Sequence, residues 1–395
     1  MKKVVLAYSG GLDTSYCAKH LSADLGYEVH GVTVNTGSFT EEELKEISRK
    51  AKILGVVDYQ VIEETERYYQ QGVKYLLFGN VLKNNTYPLS VSAERVFQAI
   101  AIAHYAKKIN ADAIAHGSTG AGNDQIRFDM IFHAICPDME IITPIRDNTL
   151  TREEEISYLQ SHGIEGDWEK AAYSINQGLW GTSVGGKETL TSDQFLPEEA
   201  FPLEVTKEES TMIKLSFNKG EAVELNGKEY APIDLINELN GIANAYGIGR
   251  DIHVGDTIIG IKGRVGFVAA ATLILIKAHH LLEKHVLTKQ QLQIKDQLSY
   301  TYGNLVHEGQ FLDPAMRDIE QFLESSQQHV TGEVEVLLAP YRFQVLGVNS
   351  PNDLMQTGFG SYGEVNKGWT AQDARGFAKI FGNQTRIYRS LHNGE

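Results

Sequence analysis

Two cysteines in 395 residues, Cys17 and Cys136, are too few for a disulfide framework and stand at no metal-ligand spacing. Both read as small buried hydrophobes in a reducing compartment. Basic charge is scarce as well. Thirty-six Lys and Arg face 51 Asp and Glu, a formal net charge of −15, which argues against nucleic acid as the main partner. No apolar run reaches membrane-spanning length, and Met1-Lys2-Lys3 leads into strand-like residues in place of a signal peptide. Internal repeats and low-complexity tracts are missing too. The expectation is a soluble, cytoplasmic protein with no membrane partner.

What is present is ordinary globular composition, 42% hydrophobic and 22% charged, in a chain long enough for two cores. Strand and helix signals alternate through residues 1–165. Candidate strands are 4–8, 29–34, 58–62, 113–115 and 140–142, the first a short apolar run. Stretches 41–54 and 93–109 read as helices, the second with Val96, Phe97, Ile100 and Ala103 on one face. The spacing predicts an α/β, doubly wound parallel-sheet domain with ligands beyond the strands' carboxyl ends. From 171 to 202 the chain turns Gly- and Ser-rich and irregular. Beyond it we expect an α+β domain with hairpins at 213–217/222–225 and 333–338/343–348, a strand at 257–262, and helices at 232–246 and 271–283. A last helix at 371–381 should leave an exposed tail. The expected division is 1–165, 166–370 and 371–395.

The most informative segment is Leu6-Ala7-Tyr8-Ser9-Gly10-Gly11-Leu12-Asp13-Thr14-Ser15. It links a buried-strand pattern to a helix start. Gly10 and Gly11 permit tight backbone geometry, so successive N–H groups can converge on an anion at the helix N-terminus. Ser9, Thr14 and Ser15 add hydroxyl donors. The Gly-Lys-Ser/Thr ending of a Walker loop is absent, so no lysine reaches the β/γ phosphates. Such a cradle suits pyrophosphate leaving ATP cut between its α and β phosphates.

A second loop, His116-Gly117-Ser118-Thr119-Gly120-Ala121-Gly122-Asn123-Asp124-Gln125-Ile126-Arg127, follows the strand at 113–115 and opens a helix. Thr119, Asn123 and Asp124 present hydroxyl, amide and carboxylate, a set suited to an amino acid with both charges. Arg127, one turn after Asn123, can offer a planar fork to a carboxylate. The plainer reading is a polar helix cap with a solvated arginine.

Ser-Gly-Gly-Leu-Asp-Thr-Ser resembles the pyrophosphate loop of the adenine-nucleotide α-hydrolases. Both loops, with Tyr87-Pro88-Leu89, Tyr173-Ser174-Ile175, Leu179-Trp180-Gly181, Gly260-Ile261-Lys262 and Val330-Thr331-Gly332, resemble the argininosuccinate synthases from residue 3 to about 382. The resemblance implies an ATP-dependent ligase of arginine biosynthesis that joins citrulline to aspartate, forming AMP and pyrophosphate through an adenylated ureido group. It implies ATP contacts at Ala7, Tyr8, Ser9, Gly10, Gly11, Leu12, Asp13, Thr14, Ser15 and Gly117. Aspartate contacts map to Thr119, Asn123 and Asp124, and citrulline contacts to Tyr87, Ser92, Asn123, Arg127, Ser174 and Ser183. Asp124 is expected to orient the aspartate amine and Asp13 to serve the loop or Mg²⁺, which accompanies ATP; no resident protein-bound metal is expected. His116 is expected to be a structural neighbour of Gly117. A homotetramer is implied, its C-terminal helix crossing between subunits.

The departures matter. Where the family has a glutamate and a tyrosine that contact citrulline, this chain has Gly255 and Phe267. A pocket without that carboxylate suits an N-acylated citrulline, such as the succinyl or acetyl derivative, with extra space beside Gly255 and Phe267. A rearranged pocket that still takes free citrulline is the alternative. Further alternatives are an ATP-binding pseudo-enzyme and a tRNA-modifying enzyme with the same loop.

Overall fold

The structure is a computed structural model that describes residues 1–166, 173–356, 358–360, 362–365 and 367–392. Its first part is a five-stranded parallel sheet of β1 (Lys3–Ala7), β2 (Glu28–Asn35), β3 (Asp58–Glu63), β4 (Ala113–Ala115) and β5 (Glu140–Ile142), in the order β3-β2-β1-β4-β5. All five expected strands form, within a residue or two of the expected ends. Helices α1 (Leu12–Ala23), α2 (Glu41–Ile53), α3 (Thr65–Tyr68), α4 (Lys74–Phe78), α5 (Ser90–Lys108), α6 (Asp124–Ile135), α7 (Pro144–Asn148) and α8 (Arg152–Ser161) alternate with or follow the strands.

Strand alternation divides the packing between two faces. Val4 and Leu6 join Cys17, Leu21, Ile47, Ala51 and Leu159 in one core, which places α1, α2 and α8 on one face. Val5 and Ile114 join Val96, Ile100, Ile131 and Phe132 in another, which places α5 and α6 on the opposite face. Central strands buried on both faces require continuous apolar runs, which is why β1 reads Val-Val-Leu. Capping boxes start α2 and α8: the Thr40 and Thr151 hydroxyls accept from the Glu43 and Glu154 N–H groups. Cys17 and Cys136 are both buried and free.

The second part is antiparallel. Its strands are β6 (Ser174–Asn176), β7 (Thr182–Gly185), β8 (Thr211–Asn218), β9 (Glu221–Leu225), β10 (Lys228–Glu229), β11 (Arg250–Asp256), β12 (Lys262–Val268), β13 (Gly332–Ala339) and β14 (Arg342–Asn349). They form sheets ordered β10-β9-β8-β13-β14 and β11-β12-β7-β6. Helices α9 (Pro232–Asn244), α10 (Ala270–Val286), α11 (Lys289–His307) and α12 (Pro314–Ser326) pack on the core that continues from α5. The chain ends in α13 (Ala371–Phe381) and α14 (Asn383–Leu391), neither with a buried residue. No helix of the described residues is long and apolar enough to cross a membrane.

Three expectations need correction. The irregular stretch begins outside the described residues, at 171–172, but from 173 it carries β6 and β7, paired Ile175 to Val184. The expected strand at 257–262 is mostly the tip of the β11–β12 hairpin. Ile258, Ile259 and Ile261 mimic a strand, yet Thr257 and Ile261 close a turn with Gly260 at φ +83°. The expected tail after 381 continues as α14.

The least regular segment, 186–203, is fixed by two arginines. Arg264 donates to the carbonyls of Glu188, Thr191 and Gln194, and Arg250 to Glu198 and the Leu203 carbonyl. Val184, Leu196 and Ala200 form a small core beneath it with Tyr173 and Phe201.

Candidate active site

Strand order reverses between β1 and β4, and open α/β sheets bind ligands in the crevice beyond such a point. Both glycine loops open there, into a cleft of about 1170 Å³. Residues 8–11 carry the chain from β1 to α1. Gly10 takes φ +76°, and a Cβ there would lie 3.0 Å from Ile47 Cγ1, so the turn has no room for a side chain. Ser9 Oγ and Thr14 Oγ1 lie 3.2 Å apart, and the Thr14 hydroxyl donates to the Gly11 carbonyl. No side chain caps α1, which leaves its first N–H groups free for an anion.

The second loop packs on the first. A Cβ at Gly117 would lie 3.2 Å from the Asp13 carbonyl carbon. His116, buried, meets Asp129 at 3.0 Å through Nε2, while its Nδ1 accepts from the Ser118 N–H at 3.2 Å. Arg146 holds the other oxygen of Asp129 at 2.7 Å. His116 is therefore a support for the loop, as expected. Gln125 Nε2 donates to the carbonyls of Gly120 and Gly122, pinning the loop from below.

Asn123 caps no helix N–H; its Oδ1 accepts from the Ile258 N–H at 2.8 Å, so the hairpin tip is tied to the start of α6. Its amide N–H₂ remains for a ligand. The solvated-cap reading fails for Arg127 too. Its guanidinium is buried and donates to Asp124 at 2.7 Å, the His307 carbonyl at 2.9 Å and His307 Nδ1 at 3.2 Å. The expected open fork is thus largely spent inside the protein, with two N–H groups left over.

Asp124 receives a second guanidinium, Arg95 Nε at 3.2 Å. Burial pushes its carboxyl up, but Arg95 and Arg127 together hold it below the usual range. It is a fixed anion at neutral pH. Asp13 has a different setting: burial raises its carboxyl, and burial with the Asp13 charge pushes neighbouring Glu155 up to about 8. The two carboxyls titrate as a coupled pair, both pushed above the ordinary carboxyl range.

At the far end, Tyr87 stacks on His253 with ring centroids 5.1 Å apart, and its oxygen accepts from Ser90 Oγ and the Val91 N–H. Ser92, Ser174 and Ser183 line the same cleft. Pairing of Ser174 with Gly185 and of Asn176 with Ser183 puts both strand serines on one face.

The cleft is lined by every expected site residue except Gly10, Ser15 and Phe267. Phe267 is fully buried and meets the edge of Tyr87 at 5.5 Å. Nor does Gly255 leave a void. A Cβ there would meet His253 Nε2 at 2.5 Å, so the imidazole fills the expected space. The cross-strand pairs Gly255–Gly263 and His253–Val265 make up this wall, which carries no carboxylate.

Sequence reasoning missed Glu94, Arg95, Asn176, His253 and His307, all on the cleft wall. Arg95 had a signal, one helical turn beyond Ser92. His253 shares a strand face with Gly255. His307, at the end of an unexpected helix, had none.

The sequence profile described as "Arginosuccinate synthase N-terminal HUP domain" matches residues 3–165, and the "Arginosuccinate synthase C-terminal domain" profile matches 173–388. Curated relatives bearing the name argininosuccinate synthase align along nearly the whole chain. One from Methanocaldococcus jannaschii is 38% identical, covering 97% of each chain. One from Dictyoglomus turgidum is 37% identical, covering 98% of this chain and 97% of its own. One from Sulfolobus acidocaldarius is 34% identical, covering 98% of each.

Proposed function

The chain belongs to the argininosuccinate synthase family of ligases, and from that premise we propose that it joins citrulline to L-aspartate at the expense of ATP. The observation that carries this reading is the cleft itself. An uncapped helix N-terminus and an amino-acid-binding set, Thr119, Asn123 and Asp124, open into one cavity at the strand-order reversal.

In the proposed reaction the ureido oxygen of citrulline attacks the α-phosphorus, displacing pyrophosphate and leaving an adenylated isourea. The α-amine of aspartate then attacks the activated carbon and expels AMP. The backbone at Ser9, Gly10 and Gly11, with the Thr14 hydroxyl, would receive the leaving pyrophosphate. Gly117 would let its loop sit on the Asp13 backbone, so that both loops border the nucleotide. Asp124, held by two guanidiniums, would orient the aspartate ammonium, and the Asn123 amide would donate to a substrate carboxylate. Tyr87, Ser92, Ser174 and Ser183 would line the citrulline end. Positioning carries most of the work.

Asp13 presents a carboxylate at the phosphate loop, the oxygen chemistry Mg²⁺ takes together with phosphate oxygens. No group of three or more His, Cys, Asp or Glu among the described residues is placed to hold a metal ion, so ATP would supply much of the ion's shell. Asp13 would hold Mg²⁺ there, and the ion would spread the charge of the departing pyrophosphate.

The wall of Gly255, Gly263, His253 and Val265 favours a second reading, an N-acylated citrulline, because no carboxylate on it meets an α-ammonium. We further propose the division into 1–165, 166–370 and 371–395. A homotetramer is proposed as well: α13 and α14 expose Phe377, Ile380, Phe381, Ile387, Tyr388 and Leu391, an apolar stripe that suits neighbouring copies.

Citrulline labelled with oxygen-18 in the ureido group tests the chemistry. Label recovered in AMP supports attack by the ureido oxygen. Label retained elsewhere, or none in AMP, rejects it.

A further inference from the structure

Three acidic groups on the cleft wall are left unused by this mechanism: Glu43, which caps its own helix, Asp256, which pairs with Lys262, and Glu94, the one of the three that is buried. Glu94 lies on α5, 1% exposed, and lines the cavity. Gln98 Nε2 donates to its Oε1 at 2.8 Å, and Arg95 Nη1 is 3.5 Å from the same oxygen. Oε2 makes no hydrogen bond of good geometry among the described residues, but the buried Thr36 hydroxyl, itself unpartnered, is close enough to lower the Glu94 carboxyl. Segment 174–178, which carries Ser174 and Asn176, lies directly on it. A Cβ at Gly178 would fall 2.1 Å from Oε2, so a side chain there would have to displace the carboxylate.

The nearby cation is already committed. Arg95 donates to Asp124 through Nε at 3.2 Å, to Gln98 through Nη1 at 2.9 Å and to Asn176 through Nη2 at 3.1 Å. Its charge is shared with Asp124, which also holds Arg127. Glu94 thus has one oxygen bound by Gln98 and Arg95 and the other buried beneath Gly178 with no counter-ion of its own, at the edge of the cleft. Burying a carboxylate with so little compensation is costly, and a cation arriving in the cleft would offset it.

We infer that Glu94 receives the ammonium group of an amino-acid substrate, supplying from α5 a buried carboxylate that the Gly255–His253 face of the β11–β12 hairpin lacks. The inference rests on the ligase reading. Either free citrulline or aspartate brings that ammonium; an N-acylated citrulline does not. The charged and titratable groups around Glu94 are Arg95 on its own helix, Asp124 from α6 and Tyr68 from α3. Burial, opposed by Arg95, pushes the Glu94 carboxyl up to about 7. Ammonium binding therefore draws a proton off Glu94 and weakens as pH falls below that value.

The test compares the full chain with Glu94→Gln in steady-state kinetics, varying ATP, citrulline and aspartate in turn, with calorimetric binding of each amino acid alongside. The expected result is a rise of about tenfold or more in KM and Kd for one amino acid, with KM for ATP moving less than about twofold. The wild-type kcat/KM for that amino acid should fall below about pH 7, a limb absent from the variant. A response to citrulline assigns the free amino acid as substrate; a response to aspartate places the second substrate there. Unchanged amino-acid constants with only a lower Tm would overturn the inference and leave Glu94 as the counter-ion of Arg95. A rise in KM for ATP alone would overturn it too. Should Glu94→Gln fail to fold, Gly178→Ala displaces the carboxylate from the opposite side and is expected to raise the same constant. If no form of citrulline supports turnover the ligase reading fails, and the calorimetric comparison still decides the role of Glu94.

Discussion

Gly117 faces the backbone of Asp13: a Cβ on Gly117 would lie 3.2 Å from the Asp13 carbonyl carbon and 3.3 Å from its oxygen. Two loops 104 residues apart in sequence (117 minus 13) are therefore seated on each other with no side chain between them.

Gly117→Ala should push the loops apart by a few tenths of an ångström. Misplacement on this scale is expected to lower kcat/KM for ATP about tenfold. Initial rates with ATP varied, together with a Tm close to wild type, would check this. An unchanged constant would mean that the loops do not jointly hold the nucleotide.

Asp124→Asn removes the anion shared by Arg95 and Arg127 while keeping its shape. Loss of two charge-assisted bonds should cost about 2 kcal/mol, because Arg127 is left buried beside its remaining partner His307. Urea unfolding measures that loss. A greater fall in kcat/KM for aspartate than for ATP is expected in the same variant.

The site should respond to acid through His307. Burial, with the charges of Arg127 and Lys83, holds its imidazole down to about 3 from an ordinary 6.5. The folded pKa is depressed, so the unfolded chain binds the proton first. Stability is complete above pH 6.5 and declines as pH falls towards 3, by about 1.4 kcal/mol per pH unit from this group. His307→Gln keeps an acceptor for Arg127 and should flatten that slope between about pH 6.5 and 4.5. Equal slopes in both proteins would remove His307 from the explanation.

The second part of the chain has its own buried charge pair. Lys295 Nζ lies 2.9 Å from Glu283, with side chains 1% and 0% exposed. Lys295→Met leaves Glu283 buried beside His279 and Gln327, and is expected to cost about 3–5 kcal/mol. Replacing both, Glu283→Leu with Lys295→Met, should recover a large part of that loss. Denaturant midpoints of the two variants decide it.

The parallel sheet was legible because the central strands β1 and β4, buried on both faces, are uninterrupted apolar runs at Val4–Ala7 and Ala113–Ala115, and the flanking strands alternate with helical stretches. Both loops were legible for a local reason: glycine spacing and hydroxyl neighbours all lie within one strand–helix corner. The wall opposite was not. At Gly255 the absence of a side chain suggested room, yet the room is taken by His253, its neighbour on the same strand face. Ile258, Ile259 and Ile261 have the composition of a strand and instead form a turn, which Thr257 and Gly260 close. Arg127 was legible as a cleft residue but not as a bound one, since His307 comes from 180 residues away. Contacts of that kind depend on tertiary packing, and no local pattern reports them.

Pyrophosphate and AMP release, measured with ATP, Mg²⁺, aspartate and each of citrulline, N-acetylcitrulline and N-succinylcitrulline, tests the central claim most directly. The account predicts equal amounts of AMP, pyrophosphate and the condensation product with one of these citrulline forms, and dependence on both amino acids. Nucleotide binding without pyrophosphate release from any of them would contradict it.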